Sequence, residues 1–179
     1  MLYAFGFDRL AVLVSDLYFV DPDPKPGQEG AERGVRLELR LLDREPLRGS
    51  IYSAQPIGVR DPIWRLDLLE SVASRPGSFD RTHHHPAFSG WEPGRRNFVE
   101  ALSADPLGWT ERRLADPATL LADAGVAAGT VDDADLAQLQ RELPEIMAAV
   151  RRLLARVHAG DAGHALPGSL LADARIGWL

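Results

Sequence analysis

The sequence predicts an α+β fold: an antiparallel β-sheet of five or six strands, packed on one face by C-terminal helices that include a long helix over 133–158. Three observations carry this. Short alternating segments fill the first hundred residues with no helical period between them. Two Asp-Pro pairs then punctuate the chain as helix starts. A heptad-spaced apolar run follows near the C-terminal end.

Tyr3, Phe5 and Phe7 alternate, and Leu10 to Val20 is rich in β-branched and aromatic residues, so residues 2–20 read as one or two strands. Residues 21–33 contain three prolines and read as a long loop. Val35, Leu37, Leu39 and Leu41 alternate with Arg36, Glu38 and Arg40, the signature of a half-buried antiparallel strand. A further strand is expected over Ser50–Arg60, ending at a break at Asp61-Pro62. Beyond it Trp64, Leu66 and Leu68 face one way, and Arg65, Asp67 and Leu69 the other. Phe79–His85 alternates again and carries rings on both faces, which predicts a central or next-to-central strand.

Asp105-Pro106 and Asp116-Pro117 each supply an N-cap followed by a first helical residue, predicting helices near 106–115 and 117–124. After Asp132 or Asp133, apolar residues fall at Leu136, Leu139, Leu143, Ile146, Val150, Leu153 and Val157. The steps alternate three and four, a heptad seam on one helix face. Pro144 removes a backbone donor and predicts a kink or a split there. Leu170, Leu171, Ile176 and Trp178 predict a tail that docks back on the body. The sheet part (1–102) and the helical part (103–179) each leave an apolar face that only the other covers, so one domain over 1–179 is expected.

Composition narrows the chemistry. There is no cysteine, which excludes a disulfide, a thiolate metal site, an Fe–S cluster and a cysteine nucleophile. Asp8, Arg9 and Asp16 interrupt the N-terminal apolar residues, a strand pattern rather than a signal peptide. No stretch reaches the roughly 18 apolar residues of a membrane span. A cytoplasmic protein without membrane association is the expectation. The net charge is −6, with acidic excess in both the sheet part and the helical part, so neither carries the basic surface of a general nucleic-acid binder. Lys25 is the one lysine beside 19 arginines, a bias expected of a GC-rich coding sequence.

The chemically loaded segment is Asp80-Arg81-Thr82-His83-His84-His85-Pro86. On a strand, side chains two apart share a face, so His83 and His85 converge and His84 points the other way. Two imidazoles so placed can hold a divalent metal when a carboxylate completes the shell. Asp67, Glu70 and Asp80 are the candidate carboxylates. The plainer alternative is a strand end with one buried histidine and two exposed ones. A metal-free alternative groups His83 and His85 with Arg81, Arg95 and Arg96, two rings for general acid–base work and guanidiniums for a phosphate. Trp64 reads as core and Trp91 as a cover over an apolar edge. Glycine-rich phosphate loops, a serine elbow and the H-E-x-x-H motif are absent.

The order of strands, FDRTHHHP, an arginine-bearing polar turn and a helical end resembles uncharacterised bacterial domain families, and more faintly the small toxins of toxin–antitoxin pairs. The resemblance covers mainly residues 35–96 and carries over no catalytic residue. Two function classes follow from the residues. One is a non-catalytic bacterial interaction protein, homodimeric through the Leu136–Val157 helix face or bound to another protein; it expects histidines that share no pocket. The other is a small hydrolase or nuclease using His83 and His85, with or without a metal; it expects both rings on one arginine-lined pocket.

Overall fold

A computed structural model describes residues 1–160 of the chain, so the expected docking of the tail at 161–179 lies outside the described residues. In chain order the elements are β1 (Leu2–Gly6), β2 (Leu10–Val20), β3 (Ala31–Arg44), β4 (Ile57–Ser71), β5 (His83–His85), β6 (Phe88–Ser89), β7 (Glu92–Pro93), α1 (Glu100–Ala104), α2 (Pro106–Ala115), α3 (Pro117–Asp123) and α4 (Asp133–His158). Strands β1 to β5 form one antiparallel meander in sequence order, and β6 and β7 a small separate hairpin. The α+β class, the antiparallel sheet and the long C-terminal helix are those the sequence predicts.

Period-two alternation gives the sheet two unlike faces. One face presents Val12, Val14, Val35, Leu37, Leu39, Trp64, Leu66 and Leu68. Against it lie Leu139, Ile146, Val150, Leu153 and Val157 of α4, all shut off from solvent. Each such aliphatic side chain contributes roughly 2 kcal/mol by leaving water. Most of the seam is therefore spent on the chain's own sheet, Leu136 and Leu143 alone staying half-buried, and nothing in the fold supports the expected self-association through the Leu136–Val157 face.

The helix caps are local and specific. The side chains of Asp105, Asp116 and Asp132 accept from the backbone N–H groups of Gly108, Thr119 and Asp135. The buried Asp135 carboxylate in turn accepts from the backbone of Asp8 (2.9 Å) and Arg9 (2.7 Å), which pins the start of α4 to the β1–β2 turn. At the other end His158 Nε2 stands 3.5 Å from Glu70. Helix α4 runs unbroken through Pro144. Buried Leu139 and Ile146 on either side hold the helix to the sheet, and that packing outweighs one missing backbone bond.

Several strand boundaries differ from expectation, β3 among them, which begins at Ala31 inside the expected 21–33 loop. β4 passes through Asp61-Pro62 instead of breaking there, because the β3–β4 register shifts around Arg40, which pairs with Pro62. A bulge is a place where a strand tolerates the missing proline N–H. Residues 50–56, expected to begin a strand, form a turn and loop. The expected strand over Phe79–His85 shrinks to His83–His85, since Phe79 has a φ of +50° and belongs to the preceding turn. β5 also lies at the edge of the sheet rather than in its centre. Its outer side is nevertheless paired: His84 and Asn97 exchange both backbone hydrogen bonds, at 3.1 and 2.8 Å.

Candidate metal centre

The face of the sheet away from the helices is polar and yet largely buried. Its central rungs run Ser15–Arg36–Asp67–His83 and Leu13–Glu38–Arg65–His85 across β2 to β5. At their centre Arg36, Glu38, Arg65 and Asp67 alternate in charge along and across β3 and β4, so each of the four has opposite neighbours. Arg36 grips both oxygens of Asp67, Nε to Oδ1 at 2.7 Å and Nη2 to Oδ2 at 3.1 Å. Arg65 Nε donates to Glu38 at 2.7 Å. The 21–30 loop and residues 86–98 cover this layer. Phe98 packs 5.3 Å from the His83 ring and Phe88 lies 5.0 Å under the Arg65 guanidinium.

His83 and His85 stand side by side on this face, their ring centroids 5.1 Å apart. His83 Nε2 lies 3.5 Å and His85 Nε2 3.7 Å from the same oxygen, Asp67 Oδ2. The other ring nitrogens settle the tautomers. His83 Nδ1 is 2.8 Å from the Arg81 carbonyl and His85 Nδ1 is 2.6 Å from the Gly94 carbonyl. A carbonyl only accepts, so both Nδ1 atoms carry the proton and both Nε2 atoms present lone pairs. Burial is the main cause that lowers the His83 pKa, to about 4, with Asp67 opposing; His85 is lowered for the same first reason. Burial pushes Asp67 up, but the charge and hydrogen bond of Arg36, with His83 and Arg65, together outweigh it and hold the carboxyl below the usual range.

Two imidazole lone pairs and a carboxylate oxygen thus meet, with no hydrogen between them. The three groups offer ligand atoms within 4.8 Å of one another. Ligand atoms in a tetrahedral shell about 2.1 Å from an ion are roughly 3.4 Å apart, close to the two nitrogen–oxygen separations of 3.5 and 3.7 Å. The Nδ1–H to carbonyl bonds and the Arg36–Asp67 bond are outer contacts of the kind that orient metal ligands. The buried Asp67/His83/His85 cluster is therefore able to hold a metal ion.

Other expected site residues fall elsewhere. Glu70 is corrected as a ligand: it is three residues from Asp67, so it points to the helix face, where it accepts from Arg33 (3.0 Å) and Gly77 N (2.6 Å). Asp80 is corrected likewise, its carboxylate accepting from Ser71 N, Ser74 Oγ and Ser78 Oγ to fasten the turn before β5. His84 points the other way as expected and enters the core, near Trp64 and Trp109, with Nε2 3.1 Å from Asn97 Nδ2. All three histidines are buried, unlike the plainer expectation of two exposed. Arg81 is committed to the Gly27 carbonyl, and Arg96 to Gln28 (3.0 Å) and Asp21 (3.4 Å). Arg95 is exposed. Trp64 is core, while Trp91 is 61% exposed beneath the Arg40 guanidinium.

Arg36 and Glu32 are the residues that sequence reasoning missed. Both alternate with Val35 and Leu37, which marks the face they share with Asp67; what they meet there depends on strand register. Glu32 is shut off from solvent with neither carboxylate oxygen hydrogen-bonded. Beside His85 opens a cavity of about 270 Å³, with Arg95, Arg96 and Lys25 around it; His83 and Asp67 are not in its wall. No helix among the described residues is long and apolar enough to cross a membrane. Comparison of the chain with models of protein families, with curated proteins and with solved structures finds no match.

Proposed function

We propose that this chain is a metal-dependent hydrolase whose centre is one divalent transition-metal ion held by Asp67, His83 and His85. The observation that carries the reading is the convergence of two Nε2 lone pairs on Asp67 Oδ2, at 3.5 and 3.7 Å. Three acceptors pointed at one spot repel one another, and a cation between them removes that cost. Imidazole and carboxylate donors suit zinc, iron(II), manganese(II) and their neighbours.

Three protein ligands leave coordination positions for water, the mark of a catalytic rather than a closed structural site. An ion held by Asp67, His83 and His85 would lower the pKa of a bound water toward neutrality and so supply a nucleophile. The adjoining cavity gives a substrate somewhere to sit. The interaction-protein class expects histidines that share no pocket, and this arrangement favours it less.

Equilibrium dialysis of the metal-stripped protein against Zn²⁺ and Mn²⁺ tests the reading. One tightly bound ion per chain is expected, lost in His83→Gln and in His85→Gln while both variants keep the wild-type far-UV spectrum. Binding below a tenth of an equivalent in the folded wild-type protein would reject it.

A further inference from the structure

Resting on that reading, we infer that the substrate of the metal centre is a small phosphate monoester, its phosphoryl group held in the cavity beside His85 by Arg95 and Lys25. The cavity has His85 in its wall, and His85 is also one of the three residues of the metal site, so a group lodged there lies against one of the ion's ligands. Its charges are not all available. Arg96 is paired with Asp21 and bonded to Gln28. Arg95 and Lys25 are exposed, and their side chains have no hydrogen-bond or ion-pair partner among the described residues. Asp23 is the remaining carboxylate at the rim. Two uncommitted cations face one uncommitted carboxylate, next to a site that gains two positive charges with its ion. Within that site Arg36 already balances Asp67. A ligand bearing two negative charges and several acceptor oxygens fits this excess, and a guanidinium binds such an oxyanion through paired N–H groups.

Size and long-range charge select a small ester over a polynucleotide. About 270 Å³ lies just under the usual range for drug-sized ligands. The chain carries a net charge of −6, which repels a polyanion that must approach over many ångströms. A monoester meets only the local field of the pocket.

The reaction balances with water alone. The oxygen of a water, which the ion would activate, would form a bond to phosphorus as the ester P–O bond breaks. The electron pair of that bond leaves on the alcohol oxygen, which takes up the proton given by the water. The products are inorganic phosphate and the free alcohol, with no change of oxidation state.

Calorimetry with inorganic phosphate, the product, provides the test, on protein loaded with Zn²⁺ or Mn²⁺ and on metal-free protein. Phosphate should bind the loaded form, and Arg95→Ala should weaken it about tenfold or more. Lys25→Ala should weaken it less, and Arg48→Ala, on a distant loop, should leave it unchanged. The loaded enzyme should release nitrophenol from p-nitrophenyl phosphate and act far more slowly on bis(p-nitrophenyl) phosphate. An ion that binds with no effect of phosphate, or equal binding in Arg95→Ala, overturns the phosphate inference and leaves the metal centre standing. Faster cleavage of the diester overturns the monoester assignment. Failure of the ion itself to bind rejects the reading beneath.

Discussion

Arg36 and Asp67 face each other across β3 and β4, and one guanidinium holds both carboxylate oxygens. The bond to Oδ1 is the shorter, 2.7 against 3.1 Å, so Oδ2 is the oxygen left for a further partner, and Oδ2 is the one both histidines face. Arg36 is thus a positioning residue. Arg36→Lys keeps the charge and loses the fork. It should weaken Zn²⁺ binding by about tenfold to a hundredfold, as losses of ligand-orienting partners do. Competition with a chromophoric chelator reads this directly. Unchanged affinity would mean that Asp67 needs no orienting.

Acid should destabilise the metal-free protein over a defined window. His83 and His84 are both lowered from 6.5 to about 4, with burial the first cause in each. A folded-state value below the unfolded one means that the folded chain binds fewer protons. Stability is therefore complete above about pH 6.5 and falls as the pH drops from there through about 4, by roughly 3 kcal/mol for His83 and by less for the less enclosed His84. Urea unfolding in chelator at a series of pH values measures it. A flat profile between pH 7 and 4 would show that these rings are not held neutral.

Glu32 should behave in the opposite sense. Burial raises its pKa above 4.5 against the pull of Arg96 and Arg81, and both oxygens lack hydrogen-bond partners. A raised folded-state value makes the ionised form a cost, absent below about pH 4.5 and complete above the folded value. Glu32→Gln removes the charge and keeps the shape. It should raise stability at pH 7.5 by about 1 kcal/mol and leave it nearly unchanged at pH 4. Loss of stability at pH 7.5 would mean that the carboxylate has a partner in solution.

The α4 seam should respond as core. Leu153 is fully buried against the sheet, so Leu153→Ala should cost about 3 kcal/mol in urea unfolding. Light scattering should give the same mass for wild type and variant. A change of mass with little loss of stability would restore the seam as a surface between copies.

Much of the fold is legible in the residues, because periodicity fixes faces. The alternation at Val35–Leu41 and at Trp64–Leu69 assigns two layers to each strand, and His83 and His85, two apart, have to share a side. The same parity separates Glu70 from Asp67, so residue spacing alone excludes Glu70 as a ligand beside it. Register is not legible. That Arg36, Asp67 and His83 form one rung follows from loop lengths and a bulge at Arg40, which composition does not encode. Nor is the shortness of β5, set by a turn in which Asp80 accepts three hydrogen bonds. The carbonyls that fix the histidine tautomers, those of Arg81 and Gly94, are backbone groups and leave no mark in the side-chain sequence.

Anomalous diffraction from crystals grown with Zn²⁺ tests the central claim most directly. The account requires one strong peak at about 2.0–2.2 Å from His83 Nε2, His85 Nε2 and Asp67 Oδ2. A zinc-treated crystal with no peak between those three atoms, and with the rings turned so that a nitrogen donates to Asp67, would contradict it.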